Sequence, residues 1–289
     1  MHRPSRTTGR VFLGGQTMSK EIKSKRTTAA SIRDMKKTGD KITMLAAYDY
    51  STALKIDKSG IDIILVGDSL GMVILGYDST LPVTMDDMIH HTKAVSRGAR
   101  HAMVVGDMPF MSYHRSVDEA VGNAGRFLQE AGAQGIKLEG GREMAGTVRS
   151  ISSAGIPVMA HLGLTPQAIH TLGGYKVQGR DSETARRMVE DAHILQDAGA
   201  FSLVLECVPG PLAGEITDAL DIPTIGIGAG VHCDGQVLVV NDMLGIYEGF
   251  TPKFVKQYAD LDSLLLKAFT HYIDDVKSGT FPGEEHTFL

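Results

Sequence analysis

Cysteine is scarce. Cys207 and Cys233 are the two in 289 residues, too few for a disulfide framework, and no Cys-x-x-Cys or matching histidine pair offers a zinc cage. A reducing cytosol suits such a chain, and a cytoplasmic protein is expected. No run approaches the roughly 20 uninterrupted apolar residues that a membrane span needs, so no membrane contact is predicted. Linkers are missing too. No Pro/Gly/Ser-rich stretch or shift in composition divides residues 27–289, which read as one domain behind an extension, residues 1–26.

Net basic charge is also absent: 29 Lys+Arg stand against 34 Asp+Glu, a formal charge of −5. That balance joins two unlike segments. Residues 1–26 hold Arg3, Arg6, Arg10, Lys20, Lys23, Lys25 and Arg26 against Glu21, so they carry +6 and the remainder carries −11. Phosphate backbones repel so acidic a body, which excludes nucleic acid as the expected partner. The basic start has the Arg, Ser and Thr of an organellar transit segment, but no apolar core like a secretory signal. Met18 opens a second plausible start, and the plainer reading is preferred: residues 1–17 form an upstream extension without structural role, disordered at its beginning.

What is present is a globular composition, 43% apolar with 22% charged, at a length that fits one α/β barrel of about 250 residues. Eight short apolar or β-branched runs recur at 42–48, 62–67, 102–106, 135–138, 157–162, 201–205, 223–227 and 236–240. Several are nearly continuous, as strands covered on both faces should be. Between them lie helical spacings, such as Val117, Ala120, Val121, Ala124, Leu128 and Ala131, or Ala185, Met188, Val189, Ala192, Leu195 and Ala198. Gly60, Gly132, Gly155 and Gly199 stand where a left-handed residue ends a helix before a strand. Eight βα units predict a closed (β/α)8 TIM barrel, with a doubly wound open sheet as the competing arrangement. Residues 228–235 leave no room for a helix between runs seven and eight, while residues 252–277 supply helix to close the ring.

Polar residues cluster at the C-terminal ends of six runs: Asp49, Asp68 with Ser69, Asp107, Lys137 with Glu139, His161 and Glu206. In a parallel barrel these ends share one mouth, where active sites of this architecture lie. Asp49 reads more readily as a helix cap. Asp68 and Asp107 repeat a Gly-Asp ending on neighbouring strands, and two adjacent anions repel unless a cation or proton lies between them. With Glu139 they make three hard oxygen donors, the donor set of a magnesium-type site. Lys137 shares a strand face with Glu139 and either neutralises an anionic substrate or serves as an ion-pair partner. His161 is equally a core histidine or a mouth residue. Glu206 leaves a buried strand, where carboxylates tend toward raised pKa values that suit a general base; Cys207 should face the other way and pack.

Gly226, Gly228 and Gly230 resemble a dinucleotide loop, but Val231 stands where the fingerprint needs glycine and no βαβ unit follows. The loop after strand seven remains a candidate contact for an anionic group. Residues 165–181 form a long connection that reads as a lid or as a structural or subunit-contact loop.

From about residue 31 onward the chain resembles the ketopantoate hydroxymethyltransferase family. The motifs that carry the resemblance are 43–50 (TMLAAYDY), 66–72 (VGDSLGM), 78–84 (DSTLPVT), 137–141 (KLEGG), 161–166 (HLGLTP), 173–179 (GGYKVQG), 205–208 (LECV), 225–230 (IGIGAG) and 282–286 (PGEEH). The resemblance implies a TIM barrel and Mg2+ held by Asp68 and Asp107, with Glu139 direct or through water. It implies that Asp68, Ser69, Asp107 and Lys137 contact the 2-oxo acid and that Glu206 is the base. The implied reaction moves a hydroxymethyl group from 5,10-methylenetetrahydrofolate to 3-methyl-2-oxobutanoate, in pantothenate biosynthesis, through a Mg-stabilised enolate. It also implies a large homo-oligomer, a decamer among the expected forms. Two other readings stay open: a magnesium-dependent lyase or phosphonate-forming mutase on a related barrel, and a noncatalytic metabolite-binding barrel.

Overall fold

In the computed structural model, which describes residues 25–246 and 251–288, the eight apolar runs are eight strands. They are β1 Ile42–Ala46, β2 Ile63–Val66, β3 Met103–Asp107, β4 Gly135–Glu139, β5 Val158–Gly163, β6 Ser202–Glu206, β7 Thr224–Ile227 and β8 Gly235–Val239. Each pairs in parallel with its neighbour in sequence, and β1 pairs with β8 from Ile42↔Gly235 to Ala46↔Val239, so the sheet is a closed barrel. The competing open sheet is thereby excluded. The expectations for residues 1–17 lie outside the described residues.

Helices follow the strands: α1 Ala29–Thr38, α2 Tyr50–Lys58, α3 Leu70–Val73, α4 Met85–Gly98, α5 Val117–Gln129, α6 Ala145–Ser153, α7 Ile169–Leu172, α8 Ser182–Asp197, α9 Gly210–Ala219, α10 Val240–Leu244 and α11 Leu261–Ser278. Their starts are encoded locally. Asp49 caps α2 by accepting from Thr52 N, Ser116 caps α5 and Asp181 caps α8, each satisfying backbone N–H groups that the first turn leaves unpaired. Gly60, Gly132, Gly155 and Gly199 all have positive φ, between 70° and 103°. The strands β2, β3 and β4 are buried along their whole length, inward against the barrel interior and outward beneath helices. At Gly106 the covering is so close that an added Cβ would collide with the Phe127 ring of α5. That approach fixes Gly106 outward and Asp107 inward.

At the N-terminal end of the barrel, α1 lies across the strand starts. Ile32 is fully buried, Arg33 donates to Ala200 O at 3.0 Å, and Lys36 pairs with Asp234 at 2.9 Å. The polar strand ends lie at the opposite end. No helix joins β7 to β8, as the short spacing requires. The end of the chain departs from expectation: α11 buries none of its residues, and Leu265, Phe269, Tyr272, Ile273 and Val276 form an exposed apolar stripe. Closure comes from the β1–β8 hydrogen bonds rather than from this helix. A cleft of about 690 Å³ along β1 and β8, lined in part by Leu45, Leu238, Met243, Phe254 and Tyr258, lies beside the helix-free β7–β8 connection. No helix among the described residues is long and apolar enough to cross a membrane.

Candidate active site

Strand register assembles the polar cluster. Asp107 on β3 pairs with Lys137 on β4, Glu139 on β4 pairs with His161 on β5, and Gly163 on β5 pairs with Glu206 on β6. Because alternate residues of a strand share a face, Lys137 and Glu139 both point into the barrel. Asp68, directly after β2, completes the group: its backbone N donates to Asp107 Oδ2 at 3.4 Å. Asp68, Asp107, Lys137, Glu139 and His161 are all buried. Glu206 is the more accessible, with 17% of its side chain exposed, so it is the carboxylate that a bound molecule reaches first.

Lys137 Nζ lies 2.8 and 2.9 Å from the two Asp107 oxygens and 3.5 Å from Glu139 Oε1. Burial alone would push its ammonium toward neutrality, but the charges of Asp107, Glu139 and Asp68 outweigh burial and raise its pKa. Burial raises Asp68 well above the usual carboxylate range, and the Asp107 and Glu139 charges add to that rise. Burial likewise raises Asp107, although Lys137 opposes it. Glu139 falls below its ordinary value because Lys137 and His161 overcome its burial. His161 has Nδ1 3.4 Å from Glu139 Oε1 and Nε2 3.4 Å from Glu206 Oε2. Neither contact is aligned as a hydrogen bond, so the attraction is ionic. Burial and Lys137 push its imidazole down, yet the two carboxylates prevail and lift it to about 9. His161 thus sits between Glu139 and Glu206, buried like a core histidine yet among the polar strand ends.

Ser69 is held at the edge of this cluster by the Tyr48 hydroxyl at 2.8 Å. Three further residues belong to the site and were not singled out by the sequence. They are Tyr48 itself, Tyr113 and Gln167. Tyr113 OH donates to Gln167 Oε1 at 2.7 Å and accepts from Glu139 N at 3.2 Å. Gln167 opens the long connection after β5, in the turn Pro166–Ala168, so that loop begins inside the site while Tyr175 farther along is exposed. Asp49, as expected, caps a helix instead of joining the cluster. Cys207 has φ 48°, and burial beside the Glu206 charge lifts its thiol to about 11, away from an activated thiolate. Gly228 packs against Phe254, and the loop after β7 leads to β8 with no intervening helix.

Asp68, Asp107 and Glu139 crowd one buried place, and the raised pKa of Asp68 marks where a proton or a cation is needed. A divalent cation fits such a donor set. Among the described residues no three His, Cys, Asp or Glu side chains converge into a ready-made metal cage. Magnesium does not require one, since it usually takes one or two carboxylates and keeps waters or substrate oxygens at its remaining positions.

The family model described as ketopantoate hydroxymethyltransferase matches residues 26–284. The chain is 64% identical over 272 residues to a 3-methyl-2-oxobutanoate hydroxymethyltransferase of Syntrophus aciditrophicus (strain SB), covering 94% of this chain and 100% of that one. It is 60% identical to the protein of the same name from Syntrophomonas wolfei subsp. wolfei, covering 91% of this chain and 95% of that one. Among solved structures it resembles phosphonopyruvate hydrolase, with a TM-score of 0.60 at 12% identity over 91% of this chain and 92% of that one. It also resembles 2,3-dimethylmalate lyase, a PEP mutase/isocitrate lyase superfamily member, with a TM-score of 0.57 at 16% identity over 90% and 92%. At such identities the structural likeness concerns the barrel alone.

Proposed function

The chain belongs to the ketopantoate hydroxymethyltransferase family, and on that premise we propose that it transfers a hydroxymethyl group from 5,10-methylenetetrahydrofolate to 3-methyl-2-oxobutanoate, giving 2-dehydropantoate. Membership makes it a transferase of pantothenate synthesis. The folate donor, Mg2+ and an enolate route complete the reading. The observation that carries it is the meeting of Asp68, Asp107, Lys137, Glu139, His161 and Glu206 at the C-terminal ends of β2 to β6.

The C3 proton of a 2-oxo acid is too weakly acidic for a free carboxylate to remove. Mg2+ held by Asp68 and Asp107, with Glu139 direct or through water, would supply Lewis-acid polarisation of the oxo group and stabilise the enolate's charge. Lys137 offsets substrate charge, and the Ser69 hydroxyl, fixed by Tyr48, offers a hydrogen bond to the oxo acid. Glu206 takes the C3 proton, with His161 holding its carboxylate at 3.4 Å. The C3 carbon then bonds to the methylene carbon of the donor and a water oxygen becomes its hydroxyl; both C–N bonds of that carbon break, and the two folate nitrogens take up the C3 proton and one proton of the water.

Residues 27–289 form the catalytic unit in this reading, the protein is cytoplasmic, and the assembly is a homo-oligomer, with a decamer among its forms. The free thiols Cys207 and Cys233 suit the cytoplasm, and the uncovered stripe of α11 suits a second copy. The test is exchange of the C3 proton of 3-methyl-2-oxobutanoate for deuterium, followed by NMR with and without Mg2+. Glu206→Gln should abolish exchange while leaving oxo-acid and metal binding largely intact. Unchanged exchange in that variant removes Glu206 as the base. Turnover without methylenetetrahydrofolate would instead favour a lyase.

A further inference from the structure

Sheet hydrogen bonds tie each strand only to its neighbours, so nothing in the barrel ladder links Asp68 after β2 to Glu139 on β4. One residue does. Gln167, 5% exposed, reaches in from the connection after β5 and engages the ends of three other strands. Its Nε2 donates to Asp68 Oδ2 at 2.9 Å and to Met108 O, directly after β3, at 2.9 Å. Its backbone N donates to Glu139 Oε2 at 3.1 Å, and its Oε1 accepts from Tyr113 OH at 2.7 Å. An amide has two N–H protons and one oxygen. All three kinds of contact are used here, and the Met108 carbonyl, which can only accept, fixes which way the amide points. Asp68 Oδ1 accepts no hydrogen bond among the described residues, so the clamp holds one oxygen and leaves the other for a ligand.

We propose that Gln167 is a positioning residue of the metal site, which sets the spacing of Asp68 and Glu139 through its side-chain and backbone N–H groups, with Tyr113 locking its amide. The inference rests on the reading that these carboxylates hold a divalent cation. Partners that orient ligating groups typically contribute about 10–100-fold to metal affinity. Gln167 touches no reacting atom in this scheme, so its loss weakens cation binding more than it slows turnover at saturating cation.

The experiment titrates the substrate-free full-length chain with Mn2+, reading free ion by EPR, and compares Gln167→Met and Tyr113→Phe with the parent. Gln167→Met keeps the side-chain length and removes the amide; Tyr113→Phe removes the lock and is the milder change should the first fail to fold. Expected are a Kd for Mn2+ raised about 10–100-fold in Gln167→Met and a smaller rise in Tyr113→Phe. The Mg2+ dependence of turnover should shift to higher concentration while kcat at saturation stays within a few-fold. Parental Mn2+ affinity in a folded Gln167→Met variant overturns the inference alone. Failure of the parent to bind Mn2+ overturns the metal reading and this inference with it.

Discussion

Lys137→Met tests whether the electrostatics of the site are understood. Methionine keeps the unbranched stem and much of the volume, so the change removes charge without opening a large cavity. In the parent, Nζ sits 2.8 Å from Asp107 and 3.5 Å from Glu139, all of it buried. Without the ammonium, the folded chain must either keep an uncompensated buried carboxylate or take up a proton. Removing one partner of a buried pair costs about 3–5 kcal/mol. The proton route gives a similar figure, because holding a carboxyl of ordinary pKa near 4 neutral at pH 7 costs about 1.4 kcal/mol for each of roughly three units. The two estimates agree, so urea unfolding at pH 7 in EDTA should show a loss of about 3–5 kcal/mol at fixed protein concentration.

The pH dependence supplies the sharper signature. In the variant the folded form binds a proton that the unfolded chain has released at pH 7, so its carboxyl pKa is raised on folding. Stability relative to the parent must then rise as pH falls, recovering about 1.4 kcal/mol per unit until the unfolded carboxyls also protonate. Near pH 5 the deficit should shrink to roughly 1–2 kcal/mol. Adding Asp107→Asn to Lys137→Met removes the stranded charge and should restore part of the loss at pH 7. A deficit below about 1 kcal/mol at pH 7, or one that does not change between pH 7 and pH 5, would refute the reasoning.

Gly163→Ala places a methyl against the Glu206 carbonyl at φ 96°, so it should cost about 1–3 kcal/mol and displace the base; undiminished exchange of the C3 proton would count against that geometry. Asp57 accepts from His101 N at 2.9 Å, Ala102 N at 2.8 Å and His101 Nδ1 at 2.9 Å. Burial opposes its ionisation, but these donors prevail and hold its pKa below 3.8. A folded pKa depressed in this way stabilises above the unfolded value and is lost as pH falls through the folded one. Asp57→Asn should therefore lose about 1–3 kcal/mol at pH 7, with the gap closing as pH falls through the depressed folded value; a gap that persists in acid contradicts the assignment. Phe269→Asp on α11 should lower the assembly mass measured by light scattering, and an unchanged mass would mean that its stripe lies outside any subunit contact.

Legibility in the sequence followed from whether a residue's neighbours are set by periodicity. Strands β2 to β7 could be read because burial on both faces demands an apolar run, β1 and β8 keep most of that run despite exposed Thr43 and Gln236, and a barrel needs no further information to bring successive strand ends together. Asp107 beside Lys137 and Glu139 beside His161 are consequences of that one-step register, which is why the central cluster was visible beforehand. Gln167 and Tyr113 obey no period. Each sits in a connection, and its partners are fixed by how that connection folds back over the barrel mouth, so a glutamine in a long loop reads as a lid or a surface contact until the fold is known. The stripe on α11 is intermediate: its 3.6-residue spacing announces a covered face, but periodicity carries the identity of a face and not of its partner. Helix after the last strand suggested closure of its own barrel, whereas in one chain the stripe meets solvent. Intrachain register could be inferred where the backbone itself enforces proximity; contacts made across loops or between subunits depend on shapes that a one-dimensional pattern does not encode.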